Sequence, residues 1–157
     1  ASLAVLDDEN LTERALVLGA RFRKGIEEMV PRYEFLKGVR QRGMMIGIEF
    51  GKPESLALKA AWTMVNKMDE NLFSQAIVIP LLDDHHILTQ VAGHAIPIIK
   101  ILPPLNISEE DVDYFLSSLE AVMIGLHKFP GPAWDVLMKI GKHAITAKKR
   151  EGRVSGN

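Results

Sequence analysis

Seven residues, Met44-Met45-Ile46-Gly47-Ile48-Glu49-Phe50, alternate so that Met44, Ile46, Ile48 and Phe50 share one face and Met45, Gly47 and Glu49 the other. Successive strand residues point to opposite faces, so this run predicts a strand with one buried face and one open face. Gly51 and Pro53 close it. On either side the period changes. Before the strand, Leu11, Ala15, Leu18, Phe22, Ile26 and Met29 recur every three or four residues, which predicts an amphipathic helix over 10–29, ended by Pro31. After it, Leu58, Ala61, Trp62, Val65, Met68 and Leu72 predict a second helix over 54–73.

Three apolar runs follow, at 76–82, 86–91 and 98–102, separated by Asp83-Asp84 and by the segment from Gly93 to Pro97. They predict strands joined by turns. Ser108 with Asp111 three residues on forms a capping-box pattern, and Ile107 with Val112 supplies a hydrophobic staple around it. The helix so started would bury Val112, Phe115, Leu116, Leu119, Val122, Met123 and Leu126 before Pro130-Gly131-Pro132 stops it. A last helix over 133–148 runs into Lys148, Lys149, Arg150, Glu151, Gly152 and Arg153. The sum is an α+β fold, a small, mostly antiparallel sheet packed against helices.

Composition narrows the chemistry. The 157 residues are 47% hydrophobic, long enough to bury a core without staples, and contain no cysteine. Disulfide scaffolds, thiolate metal sites and thiol nucleophiles are thereby excluded. Nineteen Lys and Arg against 20 Asp and Glu give a formal net charge of −1, which argues against a nucleic-acid footprint. The longest apolar runs fall far short of the ~18–20 residues of a membrane span. The opening residues, from Ala1 to Glu9, carry no Met, basic region or long apolar stretch, so a cytoplasmic chain cut from a longer polypeptide is expected.

Each candidate for chemistry has a plainer reading beside it. His85 and His86 after Asp83-Asp84 suggest a metal site, but neighbouring strand residues point apart, so a polar turn fits better. His94 next to Gly93 could act as a base, yet no carboxylate or serine stands at a telling spacing, and a turn histidine suffices. His127 and His143 suit helix C-terminal ends. Gly43 to Gly47 matches a small-xxx-small spacing by accident, since Arg40, Arg42 and Glu49 flank it. Neither nucleotide-binding glycine fingerprint is present, and the basic tail reads as a solvated terminus. Lys100 is the odd residue. In Ile98-Ile99-Lys100-Ile101-Leu102-Pro103-Pro104 it shares a face with Ile98 and Leu102, where burial would require an anion or hydrogen bonds, unless it sits at an edge and reaches water.

Several segments together resemble the C-terminal part of class III aminotransferases, pyridoxal-phosphate enzymes of fold type I that include the ornithine, acetylornithine, putrescine and 4-aminobutyrate enzymes. The helix from Glu9 to Phe22 resembles their segment entering the small domain. Val39-Arg40-Gln41-Arg42-Gly43-Met44-Met45-Ile46-Gly47-Ile48-Glu49-Phe50 is similar to their V-R-G-x-G-L-M-x-G-I-E strand, with Gln41 where Gly is usual. Ile99-Lys100-Ile101-Leu102-Pro103-Pro104-Leu105-Asn106-Ile107-Ser108 is similar to their R-x-x-P-P-L-x-I-T/S stretch.

The resemblance covers residues 1–126 and implies the small C-terminal domain, with 127–157 a helical extension and basic tail packed on it. It implies pyridoxal phosphate in the full-length parent and none bound to this fragment, because the cofactor lysine belongs to a large domain upstream. No catalytic or cofactor-binding residue is therefore expected here. Lys100 stands where many members have the Arg that binds the substrate carboxylate. A compact ammonium in place of a bidentate fork implies an amine or ω-amino acid donor, with Lys100 touching the carboxylate of a keto acid acceptor. The resemblance also implies a homodimeric parent with the large domain as partner, and no nucleic-acid or membrane partner is expected. The rival reading is a stand-alone regulatory or interaction domain without catalysis.

Overall fold

The computed structural model describes residues 8–154, with 144–154 given by their backbone alone. Among the described residues five helices and four strands follow in the order α1 (Leu11–Met29), β1 (Leu36–Arg42), β2 (Met45–Phe50), α2 (Leu56–Met68), α3 (Leu72–Asp83), β3 (Gln90–Gly93), β4 (Ile96–Ile101), α4 (Glu109–His127) and α5 (Pro132–Val154). The strands form one sheet in the order β1-β2-β4-β3, every neighbouring pair antiparallel. The fold is thus α+β, as the sequence predicts. The expectations for residues 1–7 and for the side chains of the basic tail lie outside the described residues.

Alternation decides the layers. Ile46, Ile48 and Phe50 of β2 and Ile99 and Ile101 of β4 are buried, and Leu18, Phe22, Ile26 and Met29 of α1 pack into the same cluster. Helix α4 adds Val112, Phe115, Leu119, Met123 and Leu126, with Phe22 and Phe115 in edge contact at 5.5 Å between ring centroids. At the centre Phe35 is surrounded by Phe73, His127, Trp62 and Trp134, at centroid distances of 5.0, 5.0, 5.9 and 5.8 Å. The Trp134 indole N–H donates to the Leu126 carbonyl at 2.9 Å, so the start of α5 is fastened to the end of α4 inside the core.

Three sequence expectations are corrected. The run 76–82, expected as a strand, is the body of α3. Its residues face the sheet on one side and α4 and α5 on others, so an apolar run without a stripe is what a helix buried nearly all round requires. The expected helix over 54–73 is two helices, broken at Asp69, whose extended backbone ends α2. Strand β1 was not anticipated, because Leu36-Lys37-Gly38-Val39-Arg40-Gln41-Arg42 is polar at most positions, as an edge strand permits. The strand expected at 86–91 begins only at Gln90, after a turn that holds His86 at φ 56°.

The capping box is formed: the Ser108 hydroxyl accepts the Asp111 amide at 3.0 Å, and the Asp111 carboxylate accepts the Ser108 amide at 3.1 Å. Helix α2 is capped from a distance, since Ser55 makes no side-chain cap and Glu34 instead accepts the Glu54 and Ser55 amides, each at 2.7 Å. Arg21 of α1 forks onto Asp113 of α4 at 2.9 and 2.7 Å and reaches Glu109 at 2.6 Å.

These bonds hold three carboxyls below their usual range. For Glu34 the amide bond from Ser55 is the main cause, for Asp111 the Ser108 side chain, and for Asp113 the Arg21 side chain. A carboxylate with a lowered folded-state pKa stabilises fully above its unfolded pKa, and that stabilisation is lost as pH falls through the folded one. The thermal midpoint is therefore expected to be level above about pH 5 and to fall below about pH 4. Glu34→Gln should flatten that acid limb. An acid limb as steep in the variant as in the parent would show that Glu34 is not bound this way.

Candidate functional site

All the helices that bury the sheet lie on one face, and the other face is bare within the described chain. Alternation places Arg40, Arg42, Met45, Gly47, Glu49, Ile98 and Lys100 on it, away from buried Ile46, Ile48, Ile99 and Ile101. The pairing register makes a row across all four strands, Arg40 opposite Gly47, Gly47 opposite Lys100, and Lys100 opposite Gln90. Neighbouring strands stand ~4.8 Å apart, so Arg40 and Lys100 are separated by roughly 10 Å with only Gly47 between them.

That spacing gives each cation a distinct setting. Arg40 is paired with Glu49 on the next strand. Among the described residues Lys100 makes no ion pair. Beside it the Gln90 carboxamide offers both donor and acceptor, and Leu88, Thr89 and Leu102 complete a shallow groove of about 310 Å³. Leu88, Leu102 and Met45 are 79%, 59% and 59% exposed, so the ammonium is framed by apolar surface on an open wall. An ammonium and a carboxamide beside apolar side chains have the chemistry that suits an anionic head with a short apolar body.

Lys100 therefore shares its face with Ile98 and Leu102 as the sequence predicts, but that face is the bare one, and the lysine is half-buried. Its neighbours Gly47 and Gln90 are legible only once β4 is known to sit between β2 and β3. The other candidates fall elsewhere. His94 lies at the tip of the β3–β4 turn, its Nδ1 3.0 Å from the Asn71 side-chain nitrogen, while Asn71 Oδ1 accepts the Ala95 amide at 2.9 Å. His127 accepts the Glu34 amide at Nε2 (2.8 Å) and lies with Nδ1 2.9 Å from the Met123 carbonyl, so it carries its proton on Nδ1 and ties α4 to the approach of β1. His143 is exposed on α5, and His85 and His86 sit in the turn after α3. Among the described residues no three His, Cys, Asp or Glu gather in a way that could hold a metal ion. Gly43, at φ 56°, makes the β1–β2 turn.

Pyridoxal phosphate would need an enclosed cradle for a phosphate and an aromatic ring. The face around Lys100 is an open wall instead, so the residues on that face do not fit as its holder, and no chemical step is routed through it.

Comparison with known proteins adds an independent line. The family model for class-III aminotransferases matches residues 1–123. The chain is 31% identical over 126 residues to an ornithine aminotransferase of Bacillus cereus, covering 78% of the chain and 25% of that protein. It is 26% identical over 151 residues to the aminotransferase PigE of Serratia sp., covering 77% of the chain and 18% of that protein. Among solved structures, a transaminase from the marine bacterium Virgibacillus superposes with a TM-score of 0.61 at 22% identity, over 78% of this chain and 26% of that one. The ornithine aminotransferase of Toxoplasma gondii superposes with a TM-score of 0.59 at 23% identity, over 80% and 25% of the two chains. The chain thus spans about a quarter or less of the length of these relatives. Among the described residues no helix is long and apolar enough to cross a membrane.

Proposed function

Since the chain belongs to the class-III aminotransferase family, we propose that it is the C-terminal domain of a pyridoxal-phosphate enzyme that moves an amino group from an amine or ω-amino acid to a keto acid. The cofactor, held by a large domain, supplies the carbanion chemistry. This chain supplies a wall of the substrate cleft, and alone it is not catalytic. The parent acts as a homodimer in the cytoplasm.

The observation that carries this reading is a lysine without an ion-pair partner among the described residues, set in a shallow groove on the only sheet face the helices leave bare. Lys100 binds the acceptor's carboxylate as a single charge, Gln90 adds a hydrogen bond, and Gly47 leaves the space above the sheet open for the substrate. The same bare face would serve a free-standing interaction module. Against that stands the family match, which runs through both the β2 strand and the β4 strand with its Pro-Pro turn.

A charge-assisted hydrogen bond contributes about 1.5–3 kcal/mol. Lys100→Ala in the full-length enzyme is therefore expected to raise KM for the keto acid by about 10- to 100-fold, with a smaller change in kcat. Unchanged KM and kcat would remove Lys100 from the site.

A further inference from the structure

On the side of the molecule formed by helices, α3, α4 and α5 enclose a cleft of about 400 Å³. We propose that this cleft is a binding site for an amphipathic organic cation, a protonated amine carrying an apolar body. It is separate from the groove beside Lys100, and the wall contributed by α5 lies beyond the family match, which ends at residue 123.

The volume is within the range of small-molecule sites, and the walls are apolar. Ala76, Ile79 and Pro80 come from α3, Val122 and Gly125 from α4, and Val136 from α5. A Cβ added at Gly125 would meet nothing within 4 Å, so the cleft is open above that residue. Val136 is 50% exposed, while Trp134 and Leu137 of the same helix are in the core.

Of the four polar side chains in the cleft, Asp83 and Asp84 only accept, while Gln75 and the His85 ring carry donors as well as acceptors. Asp83 and Asp84 end α3 and line the cleft, and His85 follows them, its carbonyl accepting the Tyr114 hydroxyl at 3.0 Å. Among the described residues no Lys or Arg lines the cleft. Pro80 has no N–H to give the Ala76 carbonyl one turn earlier, so that acceptor lacks its regular helical donor. At the end of α3 the Pro80, Leu81 and Leu82 carbonyls accept the Asp84, Ile87 and His86 amides at 3.0, 2.7 and 3.0 Å, so the negative charge at this end is that of the two carboxylates. At the start of α5 the Trp134 and Asp135 amides are both given to the Gly131 carbonyl, at 3.0 and 3.1 Å. Apolar walls with acceptors and carboxylates at one end select a cationic head over a neutral or anionic one.

The test compares three molecules of one shape, 4-phenylbutylamine, 4-phenylbutanol and 4-phenylbutyrate, by calorimetric titration into the 157-residue chain. The amine is expected to bind saturably with Kd on the order of 1 mM or tighter, about fivefold or more tighter than the alcohol, and the butyrate weakest. Gly125→Leu, whose Cβ meets nothing within 4 Å, puts a side chain into the cleft and should abolish binding of the amine. Asp83→Asn with Asp84→Asn should bring the amine down to the affinity of the alcohol and leave the alcohol unchanged. The second variant serves where the first fails to fold. Equal affinity for amine and alcohol, no saturable heat up to about 10 mM amine, or amine binding that survives Gly125→Leu in a folded chain would each overturn the proposal.

Discussion

Trp134→Ala is expected to destabilise the chain by about 3–5 kcal/mol, a large share of what a single domain has. The ring is only 2% exposed, stands between Phe35 and Phe129, and its N–H satisfies the Leu126 carbonyl at the end of α4. Truncation leaves a cavity that the surrounding rings cannot fill, and a buried carbonyl without its donor. Trp134→Phe separates the two effects, because it keeps most of the volume and loses only the hydrogen bond, at about 1–3 kcal/mol. Urea unfolding of the two variants measures both. The residue lies beyond the stretch matched by the family model, so a loss under about 1 kcal/mol for the alanine variant would make α5 an appendage instead of part of the core.

The second large effect is a pair of opposite signs. Both Gly19 and Gly125 sit inside helices, where replacing Gly by Ala gains about 0.5–1 kcal/mol from propensity alone. At Gly125 nothing opposes that gain. At Gly19 the new Cβ would lie 2.1 Å from the Gly43 carbonyl oxygen and 2.4 Å from Gln41 Nε2, the two atoms that hydrogen-bond each other at 2.7 Å. Gly43 is in the left-handed region at φ 56°, so its turn cannot shift cheaply to make room. Gly19→Ala is expected to cost about 1–3 kcal/mol net, and Gly19→Val more. Denaturation midpoints that rise for both alanine variants would show that α1 does not approach the β1–β2 turn so closely.

What could be read in the sequence follows from how one-sided each element is. Helices α1 and α4 each bury one side and leave the other to solvent, so their stripes are sharp, and nearly every residue expected to be buried is so. The capping box is legible because both of its bonds are made within four residues. Helix α3 was unreadable for the opposite reason: surrounded on most sides, it has no polar stripe, and Pro80 argues locally against a helix that tertiary packing nevertheless holds. At the site, the parity of Lys100 with Ile98 and Leu102 is a local property and was legible. That this face would be bare, and that Gly47 and Gln90 would flank the lysine, depends on pairings across dozens of residues. The cleft between α3, α4 and α5 was hidden with α3 itself.

The strand order β1-β2-β4-β3 also sets a timetable. β1 and β2 can pair as soon as Phe50 has emerged during synthesis, but the strand that belongs on the other side of β2 is the last of the four in the chain. At about 5–20 residues per second, the free hydrogen-bonding edge of β2 waits roughly 3–10 s for Ile101. A hairpin left that long with an unpaired Ile-rich edge is a template for any other extended segment nearby, including the same strand of a neighbouring nascent chain.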